Sequence, residues 1–311
     1  MGCFRFVASQ CCYSGCFDVL IEYSGLEYAT FEASRGICQS ILRTGSEKQE
    51  ILAATLEKLL SLTFSRFVVN KPLFESTQNT IFKSIAIIIK KVWLAQDRAS
   101  LLAQYVYSFI ETPSEHQRTN YNHVSVEYRQ WVAFNILQNI LIEFSCNSRA
   151  SEFFAPLEFH LECMALLVSE GHLFRILQQA STAALQFLPH SNQSPAALKV
   201  LGTCIQVISL VMNWNFKSSL KWISATSGGN ALSQQTAFSH NEDNFCPPSS
   251  WIRFLYEQTL EHSIRFILES QNEGIIQQSA EILYSLTTLC FPSDTKEAYE
   301  FPFIDRLLQA I

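Results

Sequence analysis

The chain has 311 residues, of which 48% are hydrophobic and 16% charged, and its net charge is −6. That length allows one large or two ordinary domains with a sizeable core. The share of charged residues is well below the roughly 25% of an ordinary globular domain, which indicates extensive burial. The acidic balance argues against nucleic acid as a partner, since neutralising phosphates needs a basic face.

Helical periodicity extends along almost the whole chain, with apolar residues three or four positions apart. One clear ladder runs from Ala29 to Ile41 and another from Tyr128 to Phe144. Alternation typical of strands is nearly absent, so the sequence predicts an all-α class. The predicted helices are 26–42, 47–67, 73–95, 97–110, 124–145, 157–187, 196–213, 250–269, 274–290 and 300–311.

Two longer polar connections interrupt the helices, at 112–123 and 217–249. The second is rich in Ser, Asn, Gly and Pro, and we predict a mobile loop there. The helical pattern is alike on both sides of each connection. No domain boundary is therefore predicted between residue 17 and the end of the chain.

The helices alternate in pairs that recur about every 50 residues, stretched to about 70–80 where extra chain is inserted. HEAT and armadillo repeats, which are also helix pairs, have periods of about 40–47 residues. In such arrays each pair buries its faces against both neighbours. The spacing therefore predicts a HEAT-like α-solenoid, a superhelical stack of antiparallel helix pairs.

The stretch SLVMNWNF, residues 209–216, places two large aromatic side chains where an apolar helix ends. Such a turn could line a ligand pocket, or it could be buried against the next helix pair of a stack. The solenoid prediction favours the buried turn. The aromatic residues predicted as structural anchors between repeats are Phe31, Trp131, Phe159, Trp214, Phe216 and Trp251.

Two apolar stretches are tested as membrane spans: 81–95, which is short for a span, and 197–214, which reaches about the length of one. The first carries three lysines, and the second carries Lys199 and Gln206. A helix buried on both sides has the same composition as a span. We predict buried helices and no membrane partner.

No residue pattern predicts catalysis or a cofactor. The four cysteines between Cys3 and Cys16 match no paired metal-ligand spacing, and no glycine-rich phosphate loop is present. Glu158 and Glu162 flank His160, but no other polar motif converges on them in sequence, so a solvated or capping role is favoured. The expectation is a protein that is not an enzyme and that needs neither metal nor cofactor.

Three lysines, Lys83, Lys90 and Lys91, lie on one otherwise apolar predicted helix. The simpler interpretation is a solvated edge of that helix. The alternative is a contact surface for an acidic partner on the inner side of the solenoid. Both interpretations remain open at this point.

Several segments resemble the importin-β superfamily of nuclear transport receptors. Phe31-Glu32-Ala33-Ser34 stands where that family has a Phe-Gln-Ala-Ala core in the second helix of its first repeat. The segments 155–188, 207–216, 247–257 and 280–294 resemble, in this order, successive segments of its exportin branch. The resemblance covers residues 17–311, whereas residues 1–16 do not resemble the family's first helix and are set apart as an atypical segment.

The resemblance implies the N-terminal arch of an exportin-like receptor, which moves between cytoplasm and nucleus through the nuclear pore. In that family the N-terminal repeats bind the small GTPase Ran in its GTP form through helices on the concave face. It also implies export cargo proteins and nuclear pore components as partners. Lys83, Lys90 and Lys91 would lie on the second such helix. The alternative function is a HEAT-repeat scaffold that does not bind Ran.

Overall fold

The computed structural model describes residues 19–46, 48–68, 73–111, 124–145, 155–216 and 247–289. Within these ranges every regular element is helical, and no residue is in a strand. Residues 19–23 form a short helical turn. The helices that follow are α1 (Glu27–Arg43), α2 (Gln49–Val68), α3 (Glu75–Val92), α4 (Arg98–Ile110), α5 (Val126–Phe144), α6 (Leu157–Ser169), α7 (His172–Ser191), α8 (Pro195–Met212), α9 (Ser249–Glu269) and α10 (Glu273–Thr288).

The chain divides into two compact units. Unit 1 comprises residues 1–125 and 149–154, and unit 2 comprises 126–148 and 155–311. Helices α1 to α4 lie in unit 1, and α5 to α10 lie in unit 2.

In unit 1, α3 packs against both α1 and α2. Hydrogen bonds join alternate helices, and the two bonded residues are a nearly constant number of positions apart in the sequence. Thr30 of α1 meets Thr77 of α3, 47 residues apart, and Glu57 of α2 meets Tyr105 of α4, 48 residues apart. Helix pairs therefore repeat in register every 48 residues or so, as expected for stacked HEAT-like units.

A basic side chain from a later helix twice caps the end of an earlier one in unit 1. Arg66 donates hydrogen bonds to the carbonyl oxygens of Glu22 and Ser24, at 2.9 and 3.3 Å. Lys91 likewise donates hydrogen bonds to carbonyl oxygens at the end of α1. Positive charge near the last carbonyls of a helix is favourable because those groups lack intrahelical donors and carry the negative end of the helix dipole.

In unit 2, α8 packs against α5, α7 and α10. The connection from α7 to α8 is only three residues long, 192–194, and so short a link makes the two helices antiparallel neighbours. Asn213 at the end of α8 accepts a hydrogen bond from Ser285 of α10, 72 residues later. The repeat is longer here than in unit 1, in agreement with the stretched spacing predicted from the sequence.

The predicted helix 157–187 is wrong in one respect, because the chain breaks there into α6 and α7. Gly171 separates them with a φ of 76°. This left-handed conformation costs little for glycine and ends a helix. At the other end, α7 continues through Pro189 to Ser191.

Helix α8 is long and apolar enough to cross a membrane by length and composition alone, within the part of the chain that was searched. More than half of it, 56%, is buried inside the protein. The core helix of a soluble protein passes the same test, so the finding is weak evidence for a span.

The prediction of an all-α, HEAT-like α-solenoid is confirmed by the helical content and by the packing of helices on one another. The predicted atypical segment 1–16 and the helix 300–311 lie outside the described residues. So does the predicted mobile loop 217–249, except for its last three residues.

Candidate partner-binding surface

The three lysines singled out from the sequence all lie on α3 or at its end, in unequal surroundings. Lys83 is half-buried, whereas Lys90 and Lys91 are buried. From Ser84 to Trp93 every side chain of this stretch is buried. Because Lys90 and Lys91 are buried, they do not form a solvated edge of α3. Their burial also keeps both ammonium groups away from a partner at the surface.

Lys91 has a structural contact. Its Nζ donates hydrogen bonds to the carbonyl oxygen of Leu42 at 3.1 Å and to that of Thr44 at 2.5 Å. These carbonyls belong to the C-terminal end of α1, so the ammonium group caps that helix. A partner could reach this ammonium only by displacing the cap.

Lys83 has no hydrogen bond or ion pair within the part of the chain that the structure describes. By the 48-residue register of unit 1, position 83 on α3 lies level with position 35 on α1. Arg35 is exposed, pairs with Glu32 at 2.9 Å, and lies over the ring of Phe31 at 5.8 Å from its centroid. We use the name α1–α3 face for Phe31, Glu32, Arg35 and Lys83, which this register places at about the same level of the two helices.

The α1–α3 face combines two cations with a half-buried aromatic ring. Phe31 was predicted as an anchor between repeats, and the structure leaves its side chain half-buried. Exposed ion pairs such as Glu32–Arg35 contribute little to stability, so Arg35 could exchange its partner at low cost. Contact of Lys83, Lys90 and Lys91 with a partner stays a prediction.

The other predicted anchors also divide into buried and half-buried side chains. Trp214, Phe216 and Trp251 are buried, whereas Trp131 and Phe159 are half-buried. The ring of Trp131 lies 5.6 Å from that of Tyr128. The ammonium group of Lys199 stands over Trp131, 5.6 Å from the ring centroid, and this cation–π contact connects α5 with α8.

An aromatic cluster surrounds the turn that follows α8. The rings of Phe216 and Trp251 meet edge to face with centroids 5.4 Å apart. The ring centroid of Phe174 on α7 lies 4.9 Å from that of Trp251 and 5.3 Å from that of Phe254. Phe216 is therefore packed against α9, and Phe174 joins the same aromatic cluster from α7. No pattern in the sequence indicates this role of Phe174.

Burial raises the pKa of the Cys204 thiol well above its ordinary value. Burial lowers the pKa of the Arg129 guanidinium and, for the same reason, that of His262. Hydrogen bonding from Ser100 lowers the pKa of Asp97. In the searched part of the chain no three His, Cys, Asp or Glu side chains come together as metal ligands.

Comparison with known proteins gives one relative of interest. The chain is 24% identical over 264 residues to exportin-4 of Dictyostelium discoideum. The match covers 77% of this chain and 21% of that protein, so the chain spans about a fifth of the length of the curated relative it matches. No family model matches the chain. No solved structure matches it either.

Proposed function

We propose that this chain is the N-terminal region of an exportin-4-like nuclear transport receptor and that it binds Ran in its GTP form. The observation that carries the proposal is the similarity to exportin-4 over 77% of the chain. The all-helical repeat framework supports it, since stacked helix pairs are suited to wrapping protein partners. The receptor would take part in moving cargo proteins between nucleus and cytoplasm.

The proposed receptor acts by binding and not by catalysis. Ran–GTP and cargo would be coupled through the solenoid, because each ligand would favour a different set of helix-pair arrangements. Nuclear pore components would be further partners of the complete receptor. Neither a cofactor nor a metal is required for such coupling.

Within the chain we assign the Ran contact to the α1–α3 face. Lys83 is the member of the three lysines whose ammonium group has no partner among the described residues. Arg35, level with it on α1, gives a second cation and Phe31 an apolar contact. An acidic patch on the partner would be complementary to the two cations.

Calorimetry with the purified chain tests this function. The chain is titrated with Ran loaded with GTP and, separately, with GDP. Selective binding of the GTP form is expected. Equal affinity for both forms, or no binding to either, would contradict the proposal and favour a HEAT-repeat scaffold that does not bind Ran.

A charge reversal locates the contact. Lys83→Glu should weaken binding of the GTP form at least about tenfold, since it replaces an attraction by a repulsion at a charged interface. Lys48→Glu is the matched control, because Lys48 is exposed on the connection between α1 and α2. If both variants bind like the unchanged chain, the α1–α3 face is not the contact.

A further inference from the structure

A cavity of about 290 Å³ opens between α2 and α4 of unit 1, with α3 beneath it. Its floor is aliphatic and is made of Leu56, Ile88, Val92 and Leu101, all of them buried. Polar side chains surround the floor. The remaining lining residues are Ala53, Gln96, Asp97, Ser100, Gln104 and Tyr105. We call this cavity the α2–α4 groove.

The first turn of α4 fixes one side of the α2–α4 groove. Asp97 is the N-cap of the helix, and its carboxylate accepts a hydrogen bond from the backbone N–H of Ser100 at 3.2 Å. The hydroxyl of Ser100 donates to the same carboxylate oxygen. The carboxylate is therefore held at the rim and does not rotate freely.

A local change of helix geometry forms the other side. Residues Ala103–Tyr107 make a π-helical turn inside α4, and two of them, Gln104 and Tyr105, line the groove. Single π turns are rare and occur often at functional sites. The hydroxyl of Tyr105 donates to Glu57 of α2 at 3.5 Å, which joins the two walls.

Two carboxylates stand at the edge of the groove, and the guanidinium of Arg98 is a nearby opposite charge for the one of Asp97. Asp97 is the charged residue among those lining it, and Glu57 borders it through Tyr105. None of the ten lining residues is basic. The hydrogen bond from Ser100 lowers the pKa of Asp97, so that carboxylate is ionised at neutral pH.

We propose that the α2–α4 groove binds a short basic peptide, with one large hydrophobic side chain on the aliphatic floor and a Lys or Arg beside Asp97 and Glu57. Pockets that enclose a whole small molecule measure roughly 300–1,000 Å³, so this volume suits a single anchoring side chain. Anchors of that kind carry much of the energy at interfaces. The site is separate from the α1–α3 face and does not depend on Ran binding.

Fluorescence anisotropy with a labelled heptapeptide, Gly-Ser-Lys-Phe-Lys-Ser-Gly, tests the proposal on the full chain. Two matched peptides separate the two contributions, one with Ser in place of Phe and one with Glu in place of both Lys. Binding is expected for the first peptide, with at least about tenfold weaker binding for each of the others. Raising the salt concentration should reduce the difference between the Lys and Glu peptides.

Two test variants and one control variant locate the contact in the groove. Ala53→Trp fills the groove from its α2 side and should abolish binding, whereas Ala54→Trp on the exposed neighbouring position should not change it. Asp97→Asn keeps the N-cap, since Asn caps helices as well as Asp, and it should weaken binding of the Lys peptide about threefold. Circular dichroism checks that each variant is folded.

The proposal is overturned if the Phe and Ser peptides bind equally, or if folded Ala53→Trp binds like the unchanged chain. Should Ala53→Trp fail to fold, Asp97→Asn decides by itself. An affinity for the Lys peptide that is unchanged in Asp97→Asn would then contradict it. Loss of Ran binding in Lys83→Glu with peptide binding retained would show that the two sites are independent.

Discussion

The hydroxyl oxygens of Thr30 and Thr77 lie 3.1 Å apart between α1 and α3, and both residues are fully buried. Thr30 also donates to the carbonyl oxygen of Glu27 at 2.9 Å. One hydroxyl on each helix therefore fixes the level at which α1 and α3 meet. A slip of either helix by one residue would leave a buried polar group unsatisfied.

Replacing Thr77 by Val should lower the free energy of unfolding by about 1 kcal/mol, the typical net value of a buried hydrogen bond. The double replacement Thr30→Val with Thr77→Val should cost less than the sum of the single replacements, because each single replacement already removes the hydrogen bond between the two hydroxyls. Urea unfolding of the three variants measures this. Strict additivity would show that the two hydroxyls do not interact.

Lys91 and Lys83 form a matched pair on one helix for testing the cap of α1. Lys91→Met should lower the free energy of unfolding by about 1.5–3 kcal/mol, since it removes charged hydrogen bonds to the carbonyl oxygens of Leu42 and Thr44. Lys83→Met should change it by no more than about 0.5 kcal/mol. Similar effects of both replacements in thermal unfolding would contradict the capping role.

The observed helix ends show how much of the fold the sequence could predict. Helical periodicity places α1 and α5 within two residues of their observed ends, because apolar spacing reports directly on a buried helix face. The break at Gly171 was missed, since the apolar pattern continues across it and only the left-handed backbone reveals it. Periodicity is thus a good guide to helices and a poor one to short turns.

The candidate site was harder to predict for a physical reason. A lysine side chain can cross apolar surface to reach a polar group, so the surroundings of Lys91 depend on where α1 ends beside it. That position follows from the register of two helices and not from local sequence. The α2–α4 groove is likewise built by side chains from three helices and the connection between two of them, and no linear motif encodes it.

The edge-to-face contact of Phe216 with Trp251 should be energetically coupled. Phe216→Leu and Trp251→Leu each remove aromatic surface from a buried cluster and should each destabilise the fold. In a double-mutant cycle the coupling should be about 0.5–1.5 kcal/mol, the usual range for aromatic pairs. A coupling of zero by urea unfolding would mean that the two rings stabilise the turn independently.

His262 should make stability depend on pH. Its folded-state pKa lies below the ordinary value because of burial, while the nearby Glu261 raises the pKa and Arg265 lowers it. The unfolded chain therefore binds more protons, so stability is fully present above about pH 6.5 and is lost as the pH falls below that value.

Comparing melting temperatures at about pH 7.5 and about pH 5.5 measures this dependence. His262→Gln should reduce the loss of stability between the two pH values. His190→Gln, at an exposed position near the end of α7, is the control and should keep the loss of the unchanged chain. An equal loss in His262→Gln would show that other groups cause it.

Ile136 and Ile142 on α5 test whether unit 2 is stabilised by shared helix faces. Ile136 is fully buried, whereas Ile142 is 41% exposed, and α5 packs against α6 and α8. Ile136→Asp places a carboxylate in that core and should cost at least about 4 kcal/mol, because a charge loses its hydration when it is buried among apolar side chains. Since neighbouring pairs share their interfaces, the loss should spread beyond α5.

Hydrogen exchange should then show reduced protection in α8 as well, while Ile142→Asp leaves both helices protected. Retained protection of α8 in Ile136→Asp would show that α5 and α8 unfold independently.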